Sequence, residues 1–120
     1  MLSDKDTYAS IPVTEVARAK RFYKDTLGIQ HLFDAGQTLT FFQSGGVRLM
    51  LTGAEGEAGG TSALYFFVKD IEGVQRDLAR RGVAFIREPH MIAKMPDHEL
   101  WLAEFRDSED NVMALMEEKR

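Results

Sequence analysis

The sequence predicts an α+β fold made of two copies of one βαβββ module, on three observations. Val13-Thr14-Glu15 opens a helical pattern that stops at Gly28, and Val68-Lys69-Asp70 opens another that stops at Gly82. Val13 to Val68 is 55 residues and Gly28 to Gly82 is 54. Each helical pattern follows a segment of period two, the alternation of a half-buried strand. Each precedes short apolar runs separated by turn residues. A period that occurs only twice points to paired supersecondary units, because a solenoid needs about three or more repeats. If the two units face one cavity, corresponding positions in the copies line one site.

The first unit, about residues 7–53, opens with Tyr8-Ala9-Ser10-Ile11-Pro12-Val13. Ala9, Ile11 and Val13 share one face, and Tyr8, Ser10 and Pro12 the other. Pro12 donates no ladder hydrogen bond, which places it near a strand end or on an edge. Thr14 is the expected N-cap. Val16, Ala19, Tyr23 and Leu27 recur at helical spacing, widened by Phe22. Gly28 is the expected left-handed stop. Strands follow at about 29–34, 38–43 and 47–52, with Gly36 and Ser44-Gly45-Gly46 in the turns.

Residues 54–61 form the linker, rich in glycine and without large apolar side chains. The second unit, about 62–118, repeats the order. A strand at about 63–68 alternates Leu64, Phe66 and Val68 with Ala63, Tyr65 and Phe67. A helix then buries Ile71, Val74 and Leu78 and ends at Gly82. Strands near 83–87, 99–106 and 111–117 complete it. Met50 in the first copy matches Ala114 in the second, 64 residues on, so about ten extra residues lie after Gly82. The expected place is a loop at 88–98, which holds Pro89, Pro96, His90 and His98.

Bulk properties narrow the function classes. The 120 residues suit one domain with a real core. A hydrophobic share of 44% and a charged share of 28% are those of a globular protein. The formal charge of −4 gives no reason to expect a nucleic-acid partner. No apolar run approaches the roughly 20 residues of a membrane span, and the first six residues lack a signal-peptide core. There is no cysteine, so disulfides and thiolate chemistry are excluded. A cytoplasmic location is the expectation.

Strand, helix, three strands, then the same again resembles the vicinal oxygen chelate superfamily, the glyoxalase/bleomycin resistance/dioxygenase group. The matching residues are Ile11-Pro12-Val13, Arg18 through Tyr23 and Leu27-Gly28, then Val68-Lys69-Asp70 and Phe105-Arg106-Asp107 through Asp110-Asn111. Ser108 and Asp110 stand where the family usually has proline and glycine. The resemblance implies a curved mixed sheet around a shared cavity, and a homodimer. In metal-dependent members, four side chains from corresponding strands hold a divalent ion, and they are His, Glu or Gln. Carried onto this chain, those positions are Tyr8, Met50 (or its neighbour Leu49), Ala63 and Ala114. Hydrocarbon has no lone pair to donate, and a thioether or neutral phenol suits a hard cation poorly. The resemblance therefore implies no metal and no cofactor.

Strand parity gives the cavity-facing set as Tyr8, Ser10, Arg48, Met50, Ala63, Tyr65, Phe67, Val112, Ala114 and Met116. Tyr65 and Phe67 suit stacking of a planar ligand, and equally a plugged core. Arg48 suits a carboxylate or phosphate clamp, and equally an edge arginine whose stem covers apolar surface. His90 and His98 suit an acid–base pair, polar hooks at the pocket mouth, or solvent-facing loop histidines. The loop that carries them is expected to arch over the mouth. Trp101 suits a groove wall, an interface seal or a core position. His31 reads as structural or exposed, and Arg76, Asp77, Arg80 and Arg81 as the solvated face of the second helix.

Two functional classes follow. The first is a metal-independent small-molecule binder of the bleomycin-resistance type, holding an organic or aromatic compound at Tyr8, Arg48, Met50, Tyr65, Phe67, His90, His98 and Trp101. The second is a lyase- or isomerase-type enzyme using His90, His98, Tyr8 or Arg48, with or without an atypical metal site. No nucleophile, metal cluster or phosphate loop is visible, which favours the first. A partner-binding module with a vestigial cavity stands behind both.

Overall fold

A computed structural model describes residues 8–53 and 64–120. The chain divides into two compact units, Met1–Ala58 and Gly59–Arg120. The expected linker and Ala63 lie outside the described residues.

In the first unit, β1 (Tyr8–Pro12) leads into α1 (Val16–Arg21), followed by β2 (Gln30–Ala35), β3 (Leu39–Ser44) and β4 (Val47–Thr52). The sheet order is β1-β4-β3-β2, with β1 parallel to β4 and the other pairs antiparallel. One face carries the core. Ile11, Leu49, Leu51 and Phe42 are all at most 1% exposed, and Ala19 and Tyr23 of the helical segment are fully buried. The Tyr23 and Phe42 rings lie 6.0 Å apart. Each large apolar side chain buried here contributes about 1.5–3 kcal/mol.

The first helix departs from expectation at both ends. Its N-cap is Glu15, not Thr14, and Glu15 makes no side-chain capping bond. After Arg21 it continues as a single π-helical turn, Phe22–Thr26, with the Leu27 N–H reaching the Phe22 carbonyl at 2.9 Å. The wider turn still keeps Tyr23 inside. Gly28 then closes the segment at φ 70, where a side chain would be strained.

In the second unit, β5 (Tyr65–Phe67), α2 (Ile71–Arg80), β6 (Ala84–Lys94), β7 (Glu99–Arg106) and β8 (Val112–Lys119) form a sheet of order β5-β8-β7-β6. The topology is that of the first unit. Ile71 and Leu78 of α2 are buried, as are Met113, Leu115, Ala103 and Phe105 on odd-numbered positions of β7 and β8. Asp70 caps α2 by accepting from the Gly73 N–H at 3.1 Å. Glu117 on β8 accepts from the Ile71 N–H at 2.8 Å, tying the same helix end to the sheet. Gly82 ends it at φ 92.

The expected loop at 88–98 is mostly strand. β6 runs to Lys94 and pairs with β7 as far as Lys94 opposite Glu99, with irregularities after Phe85, Arg87 and Met91. The Met95 N–H meets the His98 carbonyl at 2.8 Å, closing a short turn. Pro89 is accommodated because β6 is the sheet edge, where a missing donor costs no ladder bond. The extra residues therefore lengthen a hairpin and do not form an arching loop. No described helix is long and apolar enough to cross a membrane.

Candidate functional site

Each sheet has one face against its helix and one away from it, and side-chain contacts fix which is which. Lys119 pairs with Glu72 of α2, and Glu117 caps that helix, so odd positions of β8 face α2. Even positions form the open face. In register across the strands, it carries Tyr65, Ala114, Glu104 and Arg87 in one row and Phe67, Met116, Leu102 and His90 in the next. Tyr65 is 51% exposed and Phe67 66%. Both rings come from a three-residue strand at the sheet edge, and Tyr65 stands opposite the small side chain of Ala114.

The first unit's open face is read the same way. Phe42 packs on Tyr23, so its neighbour Phe41 belongs to the other side. Ser10, Met50, Phe41 and Phe33 form one row in register, with Phe33 and Phe41 stacked at 4.6 Å. Tyr8, Arg48 and Gln43 hold the next three in-register positions. Arg48 is half-buried.

Among the expected site residues, Arg48 and Met50 thus share one open face, and Tyr65, Phe67 and His90 share the other. Met50, not Leu49, is the open-face residue of its pair, because Leu49 is 1% exposed in the core. His90 sits in β6 with its Nδ1 2.8 Å from the Glu88 carbonyl. His98 stands at the hairpin end, its Nδ1 2.7 Å from Asp97 Oδ1. Arg120 and then His98 hold the Asp97 carboxyl below its usual range. Four strand residues separate the two histidines along β7, roughly 13 Å. They do not form an acid–base pair.

Trp101 lies on the helix side, not the open face. Its indole N–H donates to Glu99 at 2.9 Å, and the Lys119 ammonium sits 4.1 Å from the ring centre. Its parity with Ala103 and Phe105 was the available signal. His31 is likewise structural, with Nε2 2.9 Å from Asp34 and its ring edge-on to Phe42. Glu104 went unnoticed in the sequence, since only the β7–β8 register puts it beside Ala114.

The residues present do not fit a metal of the family type. Met50 offers a thioether, and Ala114, fully buried between its neighbours, offers nothing. Among the described residues no three of His, Asp or Glu stand close enough to hold an ion.

The profile of the Glyoxalase/Bleomycin resistance protein/Dioxygenase superfamily matches residues 7–115. The chain belongs to that superfamily. Among solved structures, it is similar to TnmS3, an antibiotic binding protein from Streptomyces sp. CB03234, with TM-score 0.80, 24% identity and 99% of each chain covered. A superfamily member from Sphaerobacter thermophilus aligns at TM-score 0.79 and 24% identity, covering 98% of this chain and 99% of that one. A lactoylglutathione lyase from Agrobacterium tumefaciens aligns at 0.74 and 17%, covering 95% and 93%. At these identities the likeness is one of fold, and this superfamily's fold hosts both binding and catalysis. Among curated proteins no match was found.

Proposed function

We propose that the chain is a metal-independent binding protein for small organic molecules, held on the open sheet faces by apolar area and aromatic stacking. The observation that carries this is the pair of exposed rings, Tyr65 and Phe67, beside Ala114, a position where metal-using members place a ligand. Leaving two such rings in water contributes little to folding, whereas a planar ligand laid on them removes their surface from solvent. The similarity to an antibiotic binding protein supports the same reading at the level of fold. The separation of His90 from His98 weighs against the enzymatic alternative. A thermal-shift screen against small aromatic compounds tests it, since a bound ligand stabilises the folded state by RT ln(1 + [L]/Kd). Shifts that appear with the parent and shrink with Tyr65→Ala support the proposal. A silent screen contradicts it.

The reading includes a homodimer. It is supported by β6, a sheet edge that carries Ile86, Met91 and Ile92 with Met95 just beyond, each more than 40% exposed. Sedimentation showing a monomer at micromolar concentration contradicts that part alone.

A further inference from the structure

Resting on the binding reading above, we propose that the open face of the second unit selects flat aromatic molecules that carry an N–H or O–H donor at one edge, with His90 Nε2 as the acceptor that reads it. The row Phe67, Met116, Leu102 and His90 crosses the sheet from β5 to β6. Three strand spacings make it roughly 14 Å long. Phe67 is 66% exposed, and the other three are half-buried. Ring, thioether and isobutyl group supply surface without a donor or a strong acceptor. The imidazole at the end is the row's strong hydrogen-bonding group.

Its protonation pattern follows from its backbone contact. His90 Nδ1 lies 2.8 Å from the Glu88 carbonyl oxygen, and a carbonyl only accepts, so Nδ1 carries the hydrogen. In the neutral ring Nε2 is then the acceptor, and among the described residues nothing donates to it. The local chain holds this arrangement. β6 is irregular between Arg87 and His90, and such a bulge re-aims the side chain that follows it. Pro89 within it fixes its own φ, which stiffens the short link between the carbonyl and the ring. Two carboxylates on the same face are already engaged, Glu104 with Arg87 Nε at 3.5 Å and Glu118 with Arg120 Nη2 at 3.3 Å. The acceptor at the end of the apolar row is therefore a neutral one. It suits an uncharged donor on the rim of a ligand whose body covers Leu102 and Met116.

Indole, 1-methylindole and benzofuran share a flat bicyclic body, and of the three indole alone carries a donor. Amide NMR titration of the full chain detects even millimolar binding, and at pH 8 an ordinary imidazole is neutral. Indole should bind about three- to tenfold tighter than the other two, the effect of one hydrogen bond, with shifts centred on His90, Leu102 and Met116. His90→Phe keeps a flat ring and removes the acceptor, so the preference should vanish while benzofuran and 1-methylindole bind no more weakly. A long-range proton–nitrogen correlation on the parent chain reads the tautomer directly, whether or not the variant folds, and should find the hydrogen on Nδ1. A hydrogen on Nε2 alone, equal binding of all three, or a preference that persists in His90→Phe overturns the assignment and leaves the binding reading standing. If none of the three binds, the binding reading fails and the assignment falls with it.

Discussion

Tyr65 stands opposite Ala114 in the parallel ladder of β5 and β8, and it is 51% exposed while the alanine is fully buried. That pairing puts a large flat surface beside a position whose side chain is a single methyl. Under the binding proposal, it offers a ligand flat aromatic area and no ion-ligating atom at Ala114.

Tyr65→Ala should therefore act on binding and not on folding. About half of the residue is already in water, so stability should stay within about 0.5 kcal/mol of the parent. Loss of one stacking partner should weaken flat ligands by about three- to tenfold. Parallel urea unfolding and ligand titration check both halves, and a large stability loss with intact binding runs against the assignment.

Asp110 is the non-glycine residue at positive φ among those described, at 65°. It stands where the family usually has glycine, and an L side chain there costs on the order of 1 kcal/mol. Asp110→Gly should be neutral to stabilising, by up to about 1 kcal/mol, and Asp110→Val destabilising. Urea midpoints of the two variants decide this.

The same turn depends on Asp107, which is 5% exposed. Its carboxylate accepts from the Glu109 N–H at 2.8 Å, the Asn111 N–H at 2.8 Å and the Asn111 side-chain amide at 3.0 Å. Asp107→Ala strands these donors in the interior and should cost about 2–4 kcal/mol. A loss under 0.5 kcal/mol in chemical denaturation means that the turn is satisfied some other way.

Strand parity was legible in the sequence wherever a short strand alternated cleanly. Tyr65, Phe67 and Met50 were placed on their faces by that rule alone, and Gly28 and Gly82 marked both helix stops. Non-local pairing was not legible. Pro89, Pro96 and two histidines look like a loop when read along the chain, and only pairing with β7 makes 88–94 a strand. Glu104 was missed for the same reason, since only cross-strand register sets it beside Ala114. The first helix's N-cap was within reach, because the repeat that aligns Val13 with Val68 also aligns Glu15 with Asp70, the cap of α2. The π-helical turn has no sequence signature at this resolution of reading, since one extra residue leaves an apolar stripe intact.

Asp34 provides a pH test in the first unit. The ammonium of Lys20 at 2.8 Å, with His31 also beside it, holds its carboxyl far below the usual range. A carboxyl with a lower pKa in the folded state contributes stability above its unfolded pKa of about 3.9 and loses it as pH falls further. The stability gap between the parent and Asp34→Asn should thus be present at pH 5 and narrow steadily towards pH 2. A gap that widens over that interval contradicts the assignment. The pair is largely exposed, so salt should shrink the gap at every pH.

Binding of an organic molecule without a metal is tested by one titration performed twice. A ligand found in the thermal-shift screen is titrated by calorimetry, first in excess EDTA and then in saturating Zn²⁺, Ni²⁺ or Fe²⁺. The same Kd within about twofold is expected under all conditions, because Ala114 has no donor atom and the Met50 thioether is a poor ligand for these ions. Affinity that vanishes in EDTA and returns with one of these ions would show that a metal site exists and that the chain belongs with the metal-using members after all.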